Sequence, residues 1–150
     1  MRYQMKIKKR FLPVLLALCF LFGTLDTAAI GTAGSEEFQE ERALIARAVE
    51  KTAPDASYVA RLAIAAVIVN RVSSPRFPSD VRSVIYEYEV LTCTRLPDFE
   101  TCEVSYLSDI AARDALLGFD VSCGALYFKR GMPAESDGAC FYHSGWLFYK

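Results

Sequence analysis

Apolar positions fall into three kinds of pattern along this chain, and each predicts a different kind of element. Residues 58–72, Tyr-Val-Ala-Arg-Leu-Ala-Ile-Ala-Ala-Val-Ile-Val-Asn-Arg-Val, are apolar nearly all round. Fifteen such residues are too many for an ordinary strand, so they predict a buried central helix. Ser57 stands where an N-cap belongs, and Pro75 and Pro78 end the helix. Before it, Leu44, Ile45, Ala48 and Val49 recur at helical spacing, giving residues 39–51 one apolar face. The acidic run from Glu36 to Glu41 suits the start of that helix, because its carboxylates meet the positive end of the dipole. Ser79 or Asp80 can cap a short helix through Tyr86. Ser105 or Ser108 can open another through Leu117, with Gly118 at the left-handed position that follows a helix end.

The last third changes period. Ala125-Leu126-Tyr127-Phe128, Ala139-Cys140-Phe141-Tyr142 and Trp146-Leu147-Phe148-Tyr149 are short, aromatic and separated by Gly, Pro and Asp, so they predict three antiparallel strands. Helices first and strands afterwards give the α+β class, a helical part packed on a small C-terminal antiparallel sheet.

The start of the chain has its own signature. Arg2, Lys6, Lys8, Lys9 and Arg10 precede the apolar run from Phe11 to Phe22, a charged and then hydrophobic order that predicts a secretory signal peptide over residues 1–29, cleaved near Thr27-Ala28-Ala29. Pro13 lies inside the run and Gly23 ends it, short of the roughly 20 apolar residues a spanning helix needs, so no membrane attachment is expected after cleavage. Leu18 is too large for lipoprotein processing at Cys19. Residues 30–38 read as a flexible leader and 39–150 as one domain in a secreted or extracytoplasmic location. Removing residues 1–29 takes away five cationic side chains and only Asp26, which moves the formal net charge from −1 to about −5. That sign excludes electrostatic capture of nucleic acid.

Export gives the remaining cysteines a meaning. Cys93, Cys102, Cys123 and Cys140 allow three pairings, of which Cys93–Cys102 and Cys123–Cys140 are favoured, the second by a hairpin centred near Gly131-Met132-Pro133. No Cys-x-x-Cys pair occurs and His143 is the only histidine, so neither a metal nor any other cofactor is expected. No Ser-His-Asp motif or phosphate-binding glycine loop is legible, and His143 reads as a surface-turn residue.

Particular segments carry a resemblance. Residues 65–78, Ala-Ala-Val-Ile-Val-Asn-Arg-Val-Ser-Ser-Pro-Arg-Phe-Pro, followed by Val84-Ile85-Tyr86, residues 111–118 and Gly124-Ala125-Leu126-Tyr127-Phe128, resemble the SleB-type cell wall hydrolases over about residues 40–150. The resemblance implies an α+β hydrolase domain that acts on the glycan strands of peptidoglycan, in spore cortex or vegetative wall, through one glutamate. Counting back from Asn70 without gaps puts Thr52 in that glutamate's place, and the nearest carboxylate is Glu50. Two residues of helix are a rotation of about 200°, so Glu50 can act as the acid only after a register shift, which the break at Ala53-Pro54-Asp55 would have to absorb. Asn70, Arg71, Tyr127 and Trp146 are the expected substrate contacts, the two aromatics by stacking on sugar faces. The alternatives are a catalytically inactive peptidoglycan binder and a disulfide-stabilised secreted module with an unrelated partner.

Overall fold

The computed structural model describes residues 27–87, 98–134 and 138–150, with side chains from Ser35 onward. The chain divides into two compact units, Met1–Ser35 and Glu36–Lys150. Its helices are α1 (Thr27–Thr52), α2 (Tyr58–Val72), α3 (Val81–Glu87) and α4 (Tyr106–Leu116), and the strands are β1 (Tyr127–Arg130), β2 (Ala139–His143) and β3 (Trp146–Tyr149). No described helix is long and apolar enough to cross a membrane. Residues 30–38, expected as a flexible leader, are helical: strong formers at Ala33, Glu36 and Glu37 outweigh Gly31 and Gly34.

α2 is the centre of the fold. Ala60 through Ile68 are buried without interruption, as an all-apolar helix requires. Leu44, Ile45, Ala48 and Val49 of α1, Val84 and Ile85 of α3, and Phe128 and Phe148 of the sheet join it in one core. α4 contributes Ala111, Ala112 and Ala115, whose small side chains let it lie close against α2.

Each helix end has a local cause. Ser57 accepts from the Ala60 N–H and Ser105 from the Ser108 N–H, which settles Ser105 as the cap of α4. Asp80 caps α3 by accepting from the Ser83 N–H at 2.8 Å. Gly118, at φ +93°, ends α4 with Gly118 N–H bonded to Ala115 O and Phe119 N–H to Asp114 O, the paired bonds of a Schellman motif.

The sheet order is β1-β3-β2, all antiparallel. Ser144 and Gly145 both have positive φ, 48° and 82°, so they form the two-residue turn whose twist suits a hairpin, and that hairpin joins β2 to β3. The expected hairpin at Gly131-Met132-Pro133 would have placed β1 beside β2; β3 lies between them instead. With the strands separated, Cys123 and Cys140 are free thiols and the expected Cys123–Cys140 bond is absent. Cys102 is also free, and Cys93 lies outside the described residues. On one face of the sheet Phe128, Phe141, Trp146 and Phe148 pack ring against ring, with centroids 5.7–6.1 Å apart. Tyr127 and Tyr149 stack on the opposite face at 5.5 Å.

Phe148→Ala empties the middle of this aromatic layer and is expected to destabilise by about 3–5 kcal/mol. Gly145→Val forces a β-branched residue into a left-handed conformation and should cost about 1–2 kcal/mol, whereas Gly145→Asn, which tolerates that region, should cost less. Urea unfolding of the three variants checks both statements.

Candidate functional site

Arg61 is one of two buried charges in α2, the other being Arg71 near its far end, and is only 4 % exposed. A guanidinium at such a position must find acceptors, and its fork gathers five. Nε donates to Ala56 O at 2.9 Å, and Nη2 donates to Pro54 O. Nη1 donates to Glu50 Oε2 at 2.8 Å, to Ser105 Oγ at 3.0 Å and to Ser108 Oγ. Glu50 Oε2 also accepts from the Ser105 N–H at 3.1 Å and the Ser105 hydroxyl at 2.5 Å. One side chain thereby ties together the end of α1, the turn 53–57 and the start of α4.

The electrostatic result concerns Glu50. Burial pushes its carboxyl up, but hydrogen bonds from the Ser105 and Ser108 hydroxyls and the Ser105 N–H, with the Arg61 charge, outweigh burial and hold it below its ordinary value. Its side chain is 16 % exposed. Glu50 is an ionised, committed acceptor, the opposite of a carboxyl kept protonated to donate a proton. α1 continues through Thr52, and Glu50 lies on the helix face that meets Arg61.

Beside this network opens a cleft of about 430 Å³ lined by Glu50, Lys51, Pro54, Asp98, Thr101, Cys102 and Glu103. Lys51 pairs with Asp98 and holds its carboxyl below the usual range. Arg47 donates to Glu100 O at 3.1 Å and lies 6.0 Å from the Phe99 ring, so the 98–101 turn is fastened to α1 from two sides. Burial pushes the Cys102 thiol up.

The other expected contacts sit elsewhere. Asn70 lies nine positions beyond Arg61 on α2, roughly 14 Å at 1.5 Å per residue. Its Nδ2 donates to Asp120 Oδ2 at 3.1 Å, Ser122 Oγ at 3.3 Å and Ala125 O at 3.2 Å. Arg71 is fully buried; its Nε donates to Leu126 O at 2.7 Å, and its guanidinium lies 5.0 Å from the Phe77 ring and 5.5 Å from Tyr127. Tyr127 accepts from Arg76 Nη2 at 2.9 Å. Asn70, Arg71 and Tyr127 therefore come together as a brace between α2 and β1, with Glu50 at the far end of α2. Trp146 is 5 % exposed, packed against Phe128 and covered by the Arg130 guanidinium at 4.8 Å. It cannot present a face to a sugar, because it is the wedge between sheet and core.

Two contacts at the start of α2 join residues far apart in sequence. Tyr58 donates to Asp114 Oδ2 at 2.7 Å, and that bond together with Arg113 holds the Asp114 carboxyl down. Ser57 Oγ lies 3.0 Å from His143 Nε2. The separation of 86 residues hides this pair from any local reading. Arg61 did leave a signal, a charge in the first turn of an otherwise apolar helix.

Comparison with known proteins places this geometry. The Cell Wall Hydrolase family matches residues 55–146. The spore cortex-lytic enzyme of Halalkalibacterium halodurans is 42 % identical over 111 residues, covering 71 % of this chain and 30 % of that protein. The spore cortex-lytic enzyme of Bacillus subtilis is 40 % identical over 94 residues, 62 % of this chain and again 30 % of the relative. The chain thus spans less than a third of the length of these two curated relatives. The crystal structure of the catalytic domain of the Bacillus cereus SleB protein superposes with a TM-score of 0.67 at 27 % identity, covering 75 % of this chain and 91 % of that one. The catalytic domain of the germination-specific lytic transglycosylase SleB from Bacillus anthracis gives 0.66 at 28 % identity, covering 75 % and 95 %.

Arg61→Met strands Glu50 as an uncompensated carboxylate and is expected to cost about 3–5 kcal/mol at neutral pH, with much of the loss recovered when Glu50→Met is added. Glu50 has its pKa lowered on folding, so the stability it contributes is full above its ordinary value of 4.5 and is lost as pH falls through the folded value. Urea midpoints from pH 7 to pH 3 should fall less steeply in Glu50→Gln than in the parent chain. An unchanged slope would remove Glu50 from the acid response.

Proposed function

Because the chain belongs to the cell wall hydrolase family, we propose that it engages the glycan strands of peptidoglycan, in spore cortex or vegetative wall, along the cleft beside Arg61, and that it holds those strands without cleaving them. The observation that carries this reading is the state of Glu50. A glycan-cleaving acid must give a proton to the leaving oxygen, and this carboxylate is ionised and occupied by Arg61 and Ser105. The resemblance puts the family's glutamate at Thr52, a residue that cannot act as a carboxylic acid. What supports the binding reading is the cleft itself: the braced turn 53–57, the polar rim at Thr101 and Glu103, and the fastened 98–101 turn. The charged and then apolar start supports delivery outside the cytoplasm, where the wall lies.

Sedimentation of the chain with purified vegetative and cortex peptidoglycan, with soluble muropeptides followed by mass spectrometry, tests the proposal. The expected result is co-sedimentation without fragment release, unchanged in Glu50→Gln. Release that disappears in Glu50→Gln would establish an enzyme with Glu50 as its acid, and absence of both signals would sink the wall reading.

A further inference from the structure

We propose that Ser57 and His143 form a reactive centre, a serine–histidine pair built for acyl transfer from an ester to water. Ser57 Oγ and His143 Nε2 are at hydrogen-bond distance, 3.0 Å. Ser57 Oγ already accepts from the Ala60 N–H at 3.4 Å, so its own proton is left to point at the imidazole. His143 is held in orientation by Phe141, whose ring lies parallel to it at 4° with centroids 6.0 Å apart. Ser57 is exposed and therefore open to a substrate.

The position of the hydroxyl supplies the remaining requirement. Ser57 caps a helix of 15 residues, and the first N–H groups of any helix, here those of Tyr58 and Val59, have no partner within it. They stand beside the nucleophile at the positive end of the helix dipole, where a carbonyl oxygen gaining charge would be stabilised. A hydroxyl, a base within reach and donors for an oxyanion are the three parts acyl transfer needs.

The reaction balances with water as the only co-reactant. Ser57 Oγ bonds to the acyl carbon while its proton passes to His143 Nε2, and the carbonyl electron pair moves onto the oxygen facing the Tyr58 and Val59 N–H groups. Collapse breaks the bond from the acyl carbon to the alcohol oxygen, and the alcohol leaves with the proton from Nε2. Water, giving a proton to the same nitrogen, then cleaves the acyl-serine, restores Ser57 and releases a carboxylic acid. Among the described residues no carboxylate hydrogen-bonds the other ring nitrogen of His143, a support whose loss costs about 10⁴-fold in serine triads. The pair therefore suits an ester, whose alcohol leaves more readily than an amine. Ser57 closes the turn that begins after Thr52, and Pro54 of that turn lines the cleft. An O-acyl group on a sugar hydroxyl is the substrate class this placement favours, an assignment that rests on the glycan reading above, whereas the chemistry of the pair does not.

The test is labelling of the folded full chain with an aryl fluorophosphonate at pH 7.5, located by peptide mass mapping. The expected result is one adduct, on Ser57, forming about 100-fold or more slowly in His143→Gln, in keeping with the contribution of a general base. Ser57→Asn keeps a capping side chain and should give no adduct while melting with the parent. No adduct at Ser57 in the folded chain, or equal labelling in His143→Gln, overturns the proposal. Acetate release from O-acetylated peptidoglycan then separates the two readings. Release that Ser57→Asn abolishes supports both, and labelling without release upholds the pair and overturns its assignment to a glycan ester.

Discussion

A guanidinium inside an apolar helix sets the terms for everything around it. Arg61 cannot be solvated where it sits, so five acceptors must be brought to it, and those acceptors belong to three separate pieces of chain. The turn 53–57 is too short to have a core of its own; its shape follows from two of its carbonyls being held by one fork. A buried pair of this kind is weak evidence for stability in itself, since desolvation offsets most of the Coulombic gain. Its value is geometric, because an arrangement that leaves one acceptor out exposes the charge and is rejected.

Arg71 repeats the device at the other end of α2. There the fork reaches Leu126 O and lies between two rings, with Asn70 securing the 120–125 loop alongside. α2 is thus an axle with a polar anchor at each end, one fixing the cleft wall and the other the entry into the sheet. The two anchors are held apart by the apolar middle of the helix, and for that reason Glu50 and Asn70 lie at opposite ends of it.

The elements were legible because they depend on local signals: the all-apolar helix, serine and aspartate caps, Gly118 and the aromatic runs. Strand order was not, because the turn chemistry of Ser144-Gly145 competes with a Gly-Met-Pro segment that looks equally like a hairpin, and only packing of Trp146 and Phe148 against the core decides for β3 in the centre. The Cys123–Cys140 pairing inherited that error. At the site, Thr52 and Glu50 could be counted from the sequence, but the commitment of Glu50 to Arg61 and the approach of His143 to Ser57 depend on separations of 11 and 86 residues. Trp146 was expected on this strand facing a sugar and is instead buried, since an aromatic on a strand carries no mark of which face meets water.

The order β1-β3-β2 has a consequence in time. A chain presented from its N-terminal side offers β1 and β2 before the strand that joins them, and each of those two has β3 as its only described sheet partner. The helical part can collapse on local contacts early, whereas the sheet, and with it the aromatic layer that closes the core, waits for residues 146–149. The core therefore stays open on its sheet side until residues 146–149 are in place.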